Sequence, residues 1–545
     1  MKKQRPRNMC LLARVFALAL AALGISGAEA QTYTDIHDFD THTLASPQYP
    51  GILAQGRDGN LYGTAPLGGA SGRGGVFMIT PAGAYSVVRS FDSTMANPYS
   101  GLTLGNDGNF YGATYAGGAF LFGTVFRITP GGVVTVLHSF KVVEGAGPYA
   151  PPIQGADGNF YGTTSIGALG YGSVYKVTPA GAFTVLYAFD STHGATPIAP
   201  LIQAKDGNFY GTTKDGGTAN FGSAFKISPS GALTVLYNFD STHGSSIYAP
   251  LVQGSDGNFY GTARTGGTKN NGGVVFKLTA AKKLTVLYNF DATGATTDGT
   301  RPYAGLIQSA DGYFWGVTSA GGNNAAGTIF YIDSTGAFYR SLYSLAPGTG
   351  SLPFATLRQH TNGVFYGEAT TGGALGHGTI FSLALHYPPF VIMQPNSGIV
   401  TQPVGILGSG LLGTGNVAFF SRRWPPFTVV SDSYVTTSVP NGSITGTVEV
   451  TSFPHIIESI QKFRVIPVVF SFSPASGPVG TQVVITGNSL KGTTKVTFGG
   501  VAAVVRKVDS YTQVTATVPA KGKTGKIEVT TPGGTATSST NFTVN

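Results

Sequence analysis

Between residues 199 and 239 the chain sets down four short apolar runs: Ala199-Pro-Leu-Ile-Gln203, Asn208-Phe-Tyr-Gly-Thr-Thr213, Gly222-Ser-Ala-Phe-Lys-Ile227 and Leu233-Thr-Val-Leu-Tyr-Asn-Phe239. Each run is rich in β-branched and aromatic residues and each gap holds Gly, Pro or Asp, a pattern that predicts four short strands joined by tight turns. The pattern recurs. Its marker, Asp-Gly-Asn-Phe-Tyr-Gly with small variations, begins at Asp58, Asp107, Asp157, Asp206, Asp256, Asp311 and Asn362, at spacings of 49, 50, 49, 50, 55 and 51 residues. Four strands per unit of this length predict propeller blades, and seven units predict seven of them.

The ends of the array predict a ring. The seventh unit has a third strand at Gly378-Thr-Ile-Phe-Ser-Leu383 but continues as Tyr387-Pro-Pro-Phe where its fourth should come. That strand stands before the first unit, where Thr34-Asp-Ile-His-Asp-Phe-Asp40 aligns residue for residue with Thr234-Val-Leu-Tyr-Asn-Phe-Asp240. An N-terminal strand that completes the last blade removes two open sheet edges. Residues 31–386 are therefore expected to form one closed propeller.

Beyond Pro389 the period becomes 79 residues, without gaps. Pro395-Asn-Ser-Gly matches Pro474-Ala-Ser-Gly, Val417-Ala-Phe419 matches Val496-Thr-Phe498, Gly446-Thr-Val-Glu-Val450 matches Gly525-Lys-Ile-Glu-Val529, and Phe463 matches Phe542. Short alternating strands with turn signals predict two small immunoglobulin-like β-sandwiches, at 387–467 and 468–545. The first departs from the second at Ser421-Arg-Arg-Trp-Pro-Pro426 and Phe453-Pro-His-Ile-Ile-Glu458 while staying in register on both sides.

Two resemblances follow from these phrases. Ser473-Pro-Ala-Ser-Gly-Pro-Val-Gly480, Val484-Ile-Thr-Gly-Asn-Ser-Leu490 and Val496-Thr-Phe-Gly-Gly500 resemble the IPT/TIG family of immunoglobulin-like domains, over residues 468 to 545. Gly254-Ser-Asp-Gly-Asn-Phe-Tyr-Gly261 with Phe276-Lys-Leu-Thr279 and Leu284-Thr-Val-Leu-Tyr-Asn-Phe290 resembles the GloVer tandem-repeat (choice-of-anchor) family of exported bacterial proteins, in all seven units. That resemblance implies export and a repeat architecture but no biochemical activity. The family's C-terminal surface anchors are not expected here, where the chain ends Phe542-Thr-Val-Asn545 with no apolar tail. The Asp-Gly-Asn-Leu-Tyr and Ile-Thr-Pro-x-Gly phrases also resemble virginiamycin B lyase-type propellers, without a catalytic His and Glu pair to carry over.

Residues 1–30 carry Lys2, Lys3, Arg5 and Arg7, then an apolar stretch from Val15 to Leu23, then Ala28-Glu-Ala30. This predicts a secretory signal peptide cut after Ala30, and a secreted or cell-surface protein. The single cysteine, Cys10, leaves with it, so no disulfide or thiol site is expected in the mature chain. No second apolar run reaches 18 residues, so no membrane span is expected. The formal charge of +9 shrinks on inspection, because residues 31–386 hold 17 basic and 18 acidic groups and a surplus of +6 falls on residues 387–545. No basic stripe interleaved with aromatics predicts a nucleic-acid partner. Charged residues make up only 10% of the chain, a surface suited to neutral polar ligands such as glycans.

Strand alternation places the Asp-Gly turns on one face of the ring and the longer, variable loops on the other, where binding is expected. On that face, ahead of each innermost strand, stand Tyr49, Tyr99, Tyr149, Ile198, Tyr248, Tyr303 and Phe354. The six aromatics are the candidate ligand-binding residues, able to stack on sugar rings, although wedging between blades is the role that their pattern favours. The Asp-Gly turns read as hairpins rather than calcium sites, since each supplies one carboxylate. His193 and His243 share a loop slot in consecutive units, inherited with the repeat and too far apart on a ring to share an ion. No metal or cofactor is expected. No nucleophile or nucleotide motif occurs, and the propeller holds only Glu144 and Glu368 as glutamates. The residues thus favour a monomeric, non-enzymatic recognition, adhesion or scaffold protein for an extracellular glycan or surface protein. The alternative is a carbohydrate-active lyase or hydrolase using the long-loop face, which would need two carboxylates about 5 to 10 Å apart.

Overall fold

A computed structural model of the chain describes residues 31–47, 52–167, 169–293, 297–420 and 423–545. Residues 1–30, expected from the sequence to be a signal peptide, and Tyr49 lie outside the described residues. The fold is all-β, and among the described residues the single helical turn is Pro347–Thr349. Between Thr32 and Ala384, seven four-stranded antiparallel sheets follow one another as propeller blades.

The marker phrase builds each sheet. In the fourth, Gly207 takes φ +82° between the strands Ile202–Gln203 and Phe209–Thr213, a left-handed conformation that glycine adopts without strain. Asp206 fixes that turn by accepting hydrogen bonds from the Asn208 backbone and amide and from the Tyr210 hydroxyl, the last at 2.8 Å. Phe209 and Tyr210 then point to opposite faces of the strand. The Tyr of one sheet meets the Phe of the next all along the ring: Tyr62–Phe110, Tyr111–Phe160, Tyr161–Phe209, Tyr210–Phe259 and Tyr260–Phe314 have ring centroids 3.7 to 4.2 Å apart. The glycine after the tyrosine is required by packing, because a Cβ on Gly211 would sit 2.6 Å from Phe225 of the neighbouring strand.

Glutamines on the short innermost strands tie sheet to sheet. The Oε1 atoms of Gln154, Gln203, Gln253 and Gln308 each accept a backbone N–H from the turn of the preceding sheet, at 2.8 to 3.0 Å. Gln55 of the first sheet does the same for Thr361 of the seventh, at 3.1 Å. That bond closes the ring. The strand Thr32–Asp38 pairs antiparallel with Thr379–Ala384 and so supplies the outer strand of the seventh sheet, as the sequence pattern predicts. On the outer wall Tyr33 stacks on Tyr343 of the sixth sheet at 4.3 Å, and His37 on Tyr85 of the first at 3.8 Å.

Two sandwiches follow. The first pairs a sheet of Ile392–Gln394, Pro403–Leu407, Tyr434–Ser438 and Phe427–Ser431 with one of Thr414–Phe419, Val448–Ser452 and His455–Glu458, around Val404, Ile406, Val417, Val435, Val448 and Phe463. Its core positions match those of the second, where Val483, Ile485, Val496, Val514, Ile527 and Phe542 are buried. The divergent segment thus keeps a sandwich core despite its altered sequence, with Phe453, Ile456 and Trp424 left exposed.

Ring closure gives a stability test. Phe39 is completely buried against the first sheet, as Phe239 is against the fifth. Phe39→Ala is expected to cost about 3–5 kcal/mol, matching Phe239→Ala, as buried phenylalanine truncations do. Denaturant unfolding of the two variants checks it, and a neutral Phe39→Ala would mean that the N-terminal strand does not seal the ring.

Candidate functional site

The two ends of the ring are not equivalent. At the Asp-Gly end the first sandwich touches sheets one, two, four, six and seven. Ser433 donates to the Arg57 carbonyl at 2.7 Å, and the Arg57 guanidinium lies over the Tyr434 ring at 4.7 Å. The Gln394 amide donates to the carbonyls of Leu104 and Gly105, and Arg464 donates to the Lys205 carbonyl at 2.7 Å. The Tyr387 hydroxyl donates to Asp311, and Phe390 donates its backbone N–H to Thr361 at 3.0 Å. This end is capped.

At the other end, each link enters its sheet through a left-handed residue. Asn97, Thr196, Ser246, Arg301 and Leu352 have φ between 53° and 57°, and proline follows all of them except Ser246. The collar position stands two residues after each bend. Tyr99 and Tyr149 lie 5.6 Å apart with Tyr115 against both, at 5.6 and 4.9 Å. Tyr248 stacks on Tyr303 at 4.2 Å, and Tyr303 meets Phe354 at 4.5 Å. Ile198, 3% exposed, separates the two arcs. Tyr99, Tyr149, Tyr248 and Phe354 are half-buried, while Tyr303 is 6% exposed. The five described candidates therefore form two arcs of an aromatic collar and stand four residues ahead of the short innermost strands. Rim loops of the same end add exposed Phe120, Leu121, Leu169 and Tyr171.

Three collar residues lay beyond the sequence reading. Tyr115, Lys214 and Arg264 occupy the slot just after the second strand, which holds Ser165, Ser319 and Thr370 in other units. The Arg264 guanidinium lies 5.7 Å from the Tyr248 centroid and 6.0 Å from that of Tyr303, with the Lys214 ammonium 5.7 Å from Tyr248. A slot that varies beside an otherwise fixed phrase was the available signal.

Other candidates resolve differently. Each of Asp107, Asp157, Asp206 and Asp256 spends its oxygens on the Asn and Tyr of its own turn. Among the described residues no three His, Cys, Asp or Glu side chains gather around a common point. His193 and His243 pair with their own Asp190 and Asp240 at 2.8 and 2.9 Å, contacts that with the backbone bonds hold both carboxyls near 2 despite partial desolvation. Two hollows of about 380 and 340 Å³ lie beside His243 and beside Asp298, away from the collar.

Glu368 stands apart. It fills the second-strand slot where Thr163, Thr212 and Thr262 donate to a carbonyl of the following sheet, and it is 3% exposed with no partner for Oε1 among the described residues. Burial pushes its carboxyl up to about 8. The nearby Tyr85 hydroxyl is likewise buried.

The Gloeobacter/Verrucomicrobia repeat model matches residues 25–154, 99–297 and 273–394. The chain belongs to this repeat family. The IPT/TIG domain model matches residues 467–544, so the second sandwich is an IPT/TIG domain. No curated protein matches the chain. Among solved structures, the extracellular domain of a hybrid two-component system protein of B. thetaiotaomicron is similar at 10% identity and TM-score 0.45, over 93% of this chain and 58% of that one. A one-component counterpart from the same organism gives 12% and 0.42, over 80% and 58%. A gluconolactonase of Xanthomonas campestris gives 12% and 0.34, over 65% and 89%. The repeat protein spans 58% of the length of the two B. thetaiotaomicron domains, and at these scores nothing about its activity follows from the three.

Glu368 predicts a pH dependence. With the folded carboxyl at about 8 and the ordinary value at 4.5, the folded repeat protein holds a proton that the unfolded chain releases between those limits. Stability therefore falls as pH rises through this window, by at most about 1.4 kcal/mol per pH unit. Glu368→Gln is expected to match the parent near pH 5 and to melt higher than the parent at pH 8 to 9. Parallel Tm profiles for the two proteins would show that the carboxyl ionises freely in the folded state. A second expectation concerns cations. Since the turn carboxylates are already engaged, chelator is expected to leave Tm unmoved, and a fall of several degrees would restore the calcium reading.

Proposed function

We propose that the repeat protein is an exported, non-enzymatic recognition module that binds glycans at the aromatic collar. Residues 31–386 act as the binding ring, 387–467 as its cap and 468–545 as an outward spacer or adhesion domain. The collar is the observation that carries this reading. Half-buried tyrosines and a phenylalanine gather at the uncapped end, while cohesion between sheets comes from a different set of aromatics, the Phe and Tyr of the marker phrase. Aromatic faces suit sugar rings, whose C–H surfaces are apolar. Exposed apolar loops at the same end fit a contact surface rather than an inert wall.

Glu368 favours a second reading, a carbohydrate-active enzyme, because a carboxyl held near 8 is protonated at neutral pH and suited to general acid work. Its place between sheets rather than on the collar weighs against that reading. Release of reducing ends or unsaturated sugars by the parent protein, lost in Glu368→Gln, would establish it.

The binding reading is tested by screening the mature chain on a glycan array, then measuring affinity and Tm for Tyr99→Ala, Tyr149→Ala and Tyr248→Ala. Each is expected to weaken binding about tenfold or more and to cost less than about 1 kcal/mol of stability, because a half-buried ring has less packing to lose. Losses on the order of 3 kcal/mol at all three sites, with no glycan bound by the parent, would make the collar structural cement.

A further inference from the structure

The collar carries charge on one side. Over the Tyr248–Tyr303–Phe354 arc lie Lys214 and Arg264, with Arg301 exposed two residues before Tyr303.

The acids of this end are already engaged. Asp215 pairs with Lys214 at 3.3 Å, Asp190 and Asp240 with their histidines, Glu144 with His138 at 3.1 Å, and Asp298 accepts the Tyr288 hydroxyl at 2.6 Å. Glu368, near the seam of the first and seventh sheets, is neutral at pH 7 because burial raises its carboxyl. Arg264 is half-buried and makes no ion pair or side-chain hydrogen bond among the described residues. A partly desolvated guanidinium without a counter-ion is unfavourable, and its planar donors match a carboxylate or sulfate in a two-pronged bond.

We propose that this arc binds sugars bearing an acidic group, with half-buried Tyr248, backed by Tyr303, stacking on the ring and Arg264, assisted by Lys214, holding the carboxylate or sulfate. The inference rests on the reading of the collar as a glycan site and adds its charge class. Uronates and sulfated sugars share the chemistry, so both are tested.

The probes are polygalacturonate, the same polymer with its carboxyls reduced to alcohols, dextran sulfate and plain dextran, with affinity measured on the mature chain. Polygalacturonate or dextran sulfate is expected to bind at least tenfold more tightly than its uncharged counterpart. Arg264→Gln, and more weakly Lys214→Gln, are expected to remove that preference while leaving Tm in place. Because residues 387–545 carry a surplus of +6, Arg506→Gln in the IPT/TIG domain serves as the control and is expected to change nothing. A preference that survives Arg264→Gln and Lys214→Gln, or falls with Arg506→Gln, would overturn the inference. Equal binding of charged and neutral polymers would also overturn it and leave the collar reading standing, whereas no binding to any of the four, with an empty glycan array, would end both.

Discussion

Consecutive side chains of a strand face opposite sides of its sheet, and the ring depends on that fact as used by one dipeptide. From the first sheet to the sixth, the Tyr of one marker faces the following sheet and meets the Phe that faces back from it, with rings about 4 Å apart. A four-stranded sheet of this size cannot keep two apolar faces dry alone, and each unit needs two neighbours. The last pair must therefore meet. It does so where Tyr366 of the seventh sheet packs in one cluster with Leu61, which stands in the first sheet where the others have phenylalanine. This weaker joint is also where the N-terminal strand is laid on, adding Phe39 inside and the His37–Tyr85 stack outside.

How much of this could be read from the sequence follows from how each contact is encoded. Contacts that repeat announce themselves: the Asp58, Asp107 and Asp157 turns, the Phe-Tyr pairs and the alignment of Thr34–Asp40 with Thr234–Asp240 fix the sheets, their order and the shared strand before any coordinates. The collar was legible as a column of aromatics, because Tyr99, Tyr149, Tyr248, Tyr303 and Phe354 recur in phase. Tyr115, Lys214 and Arg264 were not, since they meet the column across a loop whose length and composition vary from unit to unit. The docking of the first sandwich was equally hidden. Gln394, Ser433 and Arg464 reach backbone carbonyls, and a carbonyl leaves no trace in side-chain pattern.

Departures from the repeat carry information of their own. Leu104 stands where Gln154, Gln203 and Gln253 reach back to the previous turn, and the carbonyls beside it are those that Gln394 of the first sandwich takes up. Asn362 replaces the marker aspartate in the seventh sheet, where Gly363 approaches the Tyr387 backbone so closely that an added Cβ would clash with the Tyr387 carbonyl. Both breaks lie at the Asp-Gly end and serve the docked domain. A second set has no such partner. Arg358 replaces an aliphatic residue of the innermost strand, Glu368 replaces a threonine, and Lys214 and Arg264 replace small polar residues near the other mouth.

The two sets differ in what meets them. At the capped end the carbonyls of Arg57, Leu104, Gly105 and Lys205 are taken up by a serine hydroxyl, a glutamine amide and an arginine from the sandwich. At the open end, Arg264 makes no ion pair or side-chain hydrogen bond among the described residues, and the Oε1 of buried Glu368 has no partner there either, although placing a charge or a buried carboxyl there costs the fold stability. A stable ring would be easier to build with the threonine and isoleucine of the other units. Polar groups kept at a cost beside a collar of aromatic faces fit the proposed binding surface better than a purely structural ring, and that is the ground for proposing the uncapped mouth as the working end of the repeat protein.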